Sequence, residues 1–221
     1  MQLNDQLGIG MTSQRTRNRM ITRLNEKGIT NISVLDAMRI TPRHIFVDEA
    51  LSHRAYEDAA LPIGKNQTIS QPYIVALMTQ MLISHGKISS VLEIGTGCGY
   101  QTAILSQLVK RVYTVERIAS LQKNAENRLK KLGLRNIEYR HSDGSSGWRV
   151  RAPFDGIIVT AAPREIPAAL VSQLSLGGVM VLPLGDEGSQ SLQVLVKTKD
   201  GYDIESLDEV RFVPLQGGIL V

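Results

Sequence analysis

At 221 residues, 43% of them apolar and 21% charged, the chain is long enough to bury one large α/β core, or one core with a small appendage. Its 25 Lys and Arg against 21 Asp and Glu leave a net charge of only +4, and the basic residues are scattered apart from Arg15, Arg17, Arg19 and Arg23, so charge is a weak argument for a nucleic-acid partner. A single cysteine, Cys98, excludes an internal disulfide framework, and the separated His44, His53, His85 and His141 lack zinc-ligand spacing, so no structural metal is expected.

The opening MQLNDQLGIG has no basic stretch followed by an apolar one, and no apolar run approaches the ~20 residues needed to span a bilayer. A cytoplasmic location without a membrane partner is expected. Ser13 to Lys27 reads as a helix with Met20, Ile21 and Leu24 on one side, ended by Gly28. A short helix follows over Ile32 to Met38, and Thr41-Pro42 suits the opening of a third near Arg43 to Phe46. Asp48 to Gln71 has no sustained period yet is too rich in Ala, Leu and Ile for a disordered linker; it reads as an ordered loop. Helix resumes from Ser70, with Ile74, Leu77, Met78 and Met81 at three- and four-residue spacing, and closes near His85-Gly86.

From there short apolar strands alternate with helices, the pattern of a parallel sheet covered on both faces. Strands are expected at Val91 to Ile94, Arg111 to Val115, Ile137 to Arg140, Phe154 to Val159 and Gly178 to Leu182, with helices over Tyr100 to Val109, Ile118 to Leu132 and Ile166 to Leu174. Beyond Gly188 an antiparallel hairpin is expected, Ser191 to Lys197 and Tyr202 to Ile204 around Asp200-Gly201, then a last strand over Val210 to Val213.

The chemistry concentrates in VLEIGTGCGY, where a buried strand runs into Gly95-Thr96-Gly97-Cys98-Gly99 and straight into a helix. Glycines let backbone approach a ligand closely, and a helix N-terminus adds unpaired N–H groups. The spacing is G-x-G-x-G rather than the G-x-G-x-x-G of a dinucleotide site, and Glu93 suits the ammonium of a methionine moiety better than a pyrophosphate. S-adenosylmethionine is therefore the expected cofactor. Glu116 ends the next strand, 19 residues beyond Gly97, where a ribose-binding carboxylate is expected; the plainer reading is a cap for the following helix. Asp143-Gly144 stands where a loop can close over adenine, although Asp-Gly is also a common turn.

In order and spacing, ALPIGKNQTISQPY, VLEIGTGCGYQTAIL, VERI, HSDG, FDGIIVTAAP, IPAALVSQLSLGG and RFVPL resemble the protein-L-isoaspartate O-methyltransferases over roughly Arg17 to Leu215. The glycine loop is shared by many methyltransferases; ALPIGKNQTISQPY and RFVPL are more particular. The resemblance implies a Rossmann-like class I methyltransferase sheet with helices on both faces, an N-terminal helical extension and exchanged final strands. It implies one domain, with residues 1–86 as the extension and substrate loop and 87–221 as the cofactor core and hairpin. It further implies methyl transfer from S-adenosylmethionine, leaving S-adenosylhomocysteine, to the free α-carboxylate of L-isoaspartyl residues in damaged proteins and peptides. Carried over by position, Ser70 is the active-site hydroxyl, Gln67, Thr68 and Ile69 belong to the same cofactor-and-substrate segment, and Gly95, Gly97, Gly99, Glu116, Asp143 and Gly144 match the cofactor motifs. Cys98 stands where the family loop often has serine and reads as a small buried residue rather than a nucleophile.

Two other readings compete. An RNA or DNA methyltransferase would explain the basic pI and the arginine-bearing first helix, but Thr160-Ala161-Ala162-Pro163 replaces the Asn/Asp-Pro-Pro-aromatic motif of amino-methylating enzymes, and no second cysteine exists to attack a pyrimidine. A non-enzymatic nucleotide-binding module would bind the cofactor and transfer nothing. The arginine-bearing helix reads as a solvated face.

Overall fold

A computed structural model describes residues 8–221. Residues 1–7 of the opening segment lie outside it. Helix α1 (Gln14–Glu26) buries Met20, Ile21 and Leu24. It is ended by Gly28, whose φ of 93° and N–H bond to Asn25 make the left-handed stop that glycine favours. Helix α2 (Ile32–Ile40) is capped by the Asn31 side chain, which accepts from the Val34 N–H at 3.2 Å. Two 3-10 turns follow, Arg43–Phe46 and Glu49–Arg54.

The segment expected as a loop instead contains a short antiparallel hairpin, β1 (Leu61–Gly64) with β2 (Gln67–Ile69), turning through Lys65 and Asn66 at φ 56° and 57°. Both central residues being left-handed is the type I′ geometry that fits strand twist. Helix α3 (Pro72–Ser84) then begins with proline in its first turn.

The main sheet holds β3 (Ser90–Ile94), β4 (Arg111–Glu116), β5 (Ile137–His141), β6 (Phe154–Val159), β7 (Leu174–Asp186), β8 (Ser189–Lys197) and β9 (Tyr202–Val210), in the order β5-β4-β3-β6-β7-β8-β9. The first five strands in that order pair in parallel; β7, β8 and β9 form an antiparallel meander at the far edge. That consecutive edge is the exchanged arrangement the resemblance implies. Helices α4 (Tyr100–Leu108), α5 (Ala119–Lys131) and the short α6 (Ala168–Ser172) complete the alternation.

Strand alternation splits the core in two. Val91, Val112, Ile158, Val179 and Val181 pack with Met20, Val34, Met78 and Ala103 from α1 to α4. Leu92, Ile94, Val115, Ile157, Val159 and Met180 pack on the opposite face with Leu170 and Leu174.

Two boundaries and one surface differ from the sequence reading. The helix expected to reach Leu174 stops at Ser172, because Leu174 pairs with Phe154 and starts β7. Strand β9 runs on to Val210, and the expected last strand over 210–213 is absent: residues 211–215 instead cross the sheet end, held by Gln190 on Phe212 and by Ala162 on Val213 and Leu215. The arginines of α1 are not all solvated, since Arg17 is buried and donates to the carbonyls of Arg39 and Ile40, and Arg23 donates to that of Tyr56. No helix among the described residues is long and apolar enough to cross a membrane.

Candidate functional site

A cavity of about 710 Å³ opens at the carboxyl ends of the parallel strands, where ligands of open α/β sheets bind, and falls within the ~300–1,000 Å³ usual for small-molecule sites. Its floor is Gly95, Thr96 and Gly97 after β3, with Glu116 after β4, Gly144 after β5 and Thr160 after β6. The β2 segment Gln67, Thr68, Ile69 and Ser70 forms one wall, and residues 208–216 form the opposite one. Ser70, Gln67, Thr68, Ile69, Gly95, Gly97, Glu116 and Gly144 are thus brought together as expected.

The floor is fixed by backbone geometry. Gly95 has φ 95°, and a Cβ there would lie 2.3 Å from the Thr160 Oγ1. That hydroxyl donates to the carbonyls of Ile94 and Gly95 at 3.0 and 2.8 Å and locks the loop against β6. Any side chain at Gly95 would break this lock. Glu116, only 5% exposed, accepts from the Gly97 N–H at 2.8 Å with one oxygen and from the Ile118 N–H at 3.0 Å with the other. Glu116 thus holds the residue that opens the next helix, as the plainer reading has it, while it also ties down the glycine loop and lines the cavity.

Three expected residues stand behind the cavity rather than on its surface. Glu93 is fully buried beside Thr114, its registered neighbour on β4. One of its oxygens accepts from Thr102 at 2.5 Å and from Thr114 at 2.6 Å; the other has no partner. Burial pushes its carboxyl up to about 8, against the pull of the two threonine hydroxyls. With no exposed surface and no place in the cavity lining, Glu93 braces the loop from below instead of facing the cavity, where a methionine ammonium was expected to meet it. Thr114 also bonds Thr96 at 2.6 Å, and with the Thr114 proton directed to Glu93, Thr96 is the donor.

Gly99, at φ 89°, is the N-cap residue of α4, and a Cβ there would meet Leu129 and Ala125 at 3.0–3.3 Å. Its role is close packing. Asp143 closes a tight turn by accepting from the Ser145 N–H and hydroxyl at 2.9 and 2.7 Å, while its other oxygen takes the Gly218 N–H at 2.6 Å. Burial pushes this carboxyl up, but those donors and the Arg117 charge hold it below the usual carboxylate range.

Ser70 does not cap α3. The N-cap position is Gln71, without a side-chain bond, and the first donor of the helix, the Tyr73 N–H, goes to Asp58 at 3.0 Å. An acidic side chain of the chain itself thus takes the first N–H of this helix end. Tyr73 also donates from its hydroxyl to Asp208 of β9 at 3.2 Å, joining the two cavity walls. The sequence reading missed Arg43, Asp58, Tyr73, Asp208 and Thr160. Only Thr160 carried a signal, its place directly after an apolar strand.

The match to known proteins is extensive. The family model described as protein-L-isoaspartate(D-aspartate) O-methyltransferase covers residues 14–219. The chain belongs to this family. It is 58% identical over 208 residues to a protein-L-isoaspartate O-methyltransferase of Pseudomonas aeruginosa, covering 94% of this chain and 99% of the relative. The Ectopseudomonas mendocina protein of the same name is 57% identical over 210 residues, 95% of this chain and all of the relative. A solved protein-L-isoaspartate O-methyltransferase superposes with a TM-score of 0.81 at 27% identity, over 92% of this chain and 67% of the other. A Plasmodium falciparum structure described as a member of the family in complex with S-adenosyl-L-homocysteine gives 0.80 at 25% identity, over 90% and 98%. The Rossmann-like class I methyltransferase fold is thereby shared.

Proposed function

We propose that this chain transfers a methyl group from S-adenosylmethionine to the free α-carboxylate of L-isoaspartyl residues in damaged proteins and peptides. The ester then closes to a succinimide whose hydrolysis partly restores aspartate. The observation that carries the reading is the meeting of the QTIS segment with the glycine loop on one cavity, in a chain that matches the family over residues 14–219. The cavity fits the cofactor: a glycine floor that a Cβ would fill, and a carboxylate, Glu116, at the strand end. Gly95, Gly97, Glu116 and Gly144 would hold it, with Gln67, Thr68 and Ile69 beside it and Glu93, Gly99 and Asp143 supporting from behind.

The cofactor supplies an electrophilic methyl on a sulfonium. The chain needs no general base, because a carboxylate ordinarily titrates near pH ~4 and is already ionised at neutral pH. Transfer of that methyl to a carboxylate oxygen would neutralise opposite charges and would ask no residue of this chain to move a proton. Alignment and exclusion of water are what the walls contribute. Ser70 is the group in place to orient the acceptor.

Ester chemistry gives the test. Label transferred from methyl-labelled S-adenosylmethionine to an aged, deamidated protein should be released as volatile methanol by mild base. Base-stable label, or label entering RNA or DNA instead, would overturn the reading. Calorimetry should show S-adenosylhomocysteine binding without comparable binding of a nicotinamide dinucleotide. Glu116→Ala should weaken it by roughly 1.5–3 kcal/mol, the range for hydrogen bonds to a charged group; an unchanged affinity would remove Glu116 from the site.

A further inference from the structure

Arg43 is fully buried, in the 3-10 turn after α2. Its Nε donates to the Ala55 carbonyl and its Nη2 to the Ser70 carbonyl, both at 2.8 Å; the guanidinium lies 4.9 Å from the Tyr100 ring centroid; and Nη1 has no partner. No carboxylate among the described residues comes within 4.0 Å of it to form an ion pair. Asp58 favours its charge from farther away, but that carboxylate is held by Lys27 at 2.5 Å and by the Tyr73 N–H. A guanidinium does not shed its proton, so a full positive charge sits in the interior without a counter-ion, an arrangement that is costly to folding.

Two of its contacts, Ser70 and Tyr100, line the cavity. At the N-terminus of α3, Pro72 has no N–H to offer and the Tyr73 N–H is already taken by Asp58. We infer that Arg43 is a positioning residue for an anionic acceptor: it fixes the Ser70 peptide at the cavity wall and supplies, from behind it, the positive charge that draws the substrate carboxylate to Ser70. The missing counter-ion is then the substrate itself, and the folding cost of the bare charge is offset only when an anion binds. This rests on the carboxylate-methylation reading above.

The test uses the full-length chain. Arg43→Met and Arg43→Gln both remove the charge, and Arg43→Gln keeps a donor for the Ser70 carbonyl. For whichever variant is folded by thermal unfolding, KM for an isoaspartyl peptide should rise about tenfold or more, while the S-adenosylhomocysteine Kd stays within about twofold. A folded neutral variant with wild-type peptide KM, or one losing peptide and S-adenosylhomocysteine affinity together, would overturn the inference. A wild-type measurement stands beside it if neither variant folds. With S-adenosylhomocysteine bound, the isoaspartyl peptide should bind at least about tenfold more tightly than its α-carboxamide, and the ratio should persist from about 50 to about 500 mM salt, because a buried charge is poorly screened. Equal binding, or a preference abolished by salt as at exposed cations, would contradict it. Failure of the wild type to methylate the peptide at all would count against the carboxylate reading; these outcomes in an active enzyme count against Arg43 alone.

Discussion

Ser70 precedes α3 by two positions, and its hydroxyl makes no hydrogen bond among the described residues. Removing that hydroxyl should therefore leave the helix intact. Ser70→Ala is expected to lower kcat/KM on an isoaspartyl peptide by roughly ten- to a hundredfold, equivalent to ~1.4–2.7 kcal/mol, with little change in Tm or in cofactor affinity. Full activity in the variant would reduce Ser70 to backbone. Glu93 makes the opposite kind of prediction. Its carboxyl is raised from 4.5 to about 8 in the fold, so between those values the native state keeps a proton the unfolded chain has lost. Stability from this group is complete below 4.5 and drains away as pH rises through about 8. Thermal unfolding between pH 5 and pH 9 should show a steeper loss for the wild type than for Glu93→Gln, while Glu93→Gln still binds S-adenosylhomocysteine; equal slopes would show that Glu93 is ionised in the fold. The acidic residue before the glycines was legible in the sequence. Its surroundings were not: strand alternation puts Glu93 on the face of Val91, but the sequence does not say that helix α4 covers that face and takes up the carboxyl through Thr102.

The elements least legible in the sequence are those that close the cavity. Hairpin β1-β2 escaped because its strands are three and four residues long and its turn pair is Lys65-Asn66 rather than an Asn-Gly signal. The C-terminal segment escaped because it contributes no further strand to the sheet. It is tied down instead by single contacts: Arg117 donates to the Gly218 carbonyl, the Gln216 side chain and the Gly217 carbonyl at 3.2–3.4 Å, and Leu220 exchanges backbone bonds with Arg117 and Ala119. Gly218 in turn holds Asp143. Truncation after Gln216 should therefore loosen the Asp143-Gly144 turn, raising the S-adenosylhomocysteine Kd by about tenfold, ~1.4 kcal/mol, with a smaller effect on peptide KM. An unchanged Kd would show the segment to be a passive cover.

At the scale of the whole molecule, the alternation of strands and helices from Val91 onward was legible because parallel strands buried on both faces read as continuous apolar runs. The lateral order β5-β4-β3-β6-β7-β8-β9 was not, since no local pattern states which strands become neighbours. That order shapes the cavity: it puts β3 in the middle of the five parallel strands with β4 and β6 beside it, so the loops after all three converge on one cavity, and it lays the β9 wall opposite the Ser70 wall. In the proposed reading the sheet would present the methyl donor, and the N-terminal layer with Ser70, backed by Arg43, would build the acceptor side. The central claim is that this acceptor side selects an isoaspartyl carboxylate. Incubation with labelled S-adenosylmethionine and two peptides identical except for isoaspartate or aspartate at one position tests it most directly. Label is expected in the isoaspartyl peptide with little or none in its aspartyl counterpart; label in the aspartyl peptide alone, or in neither, would refute that selection.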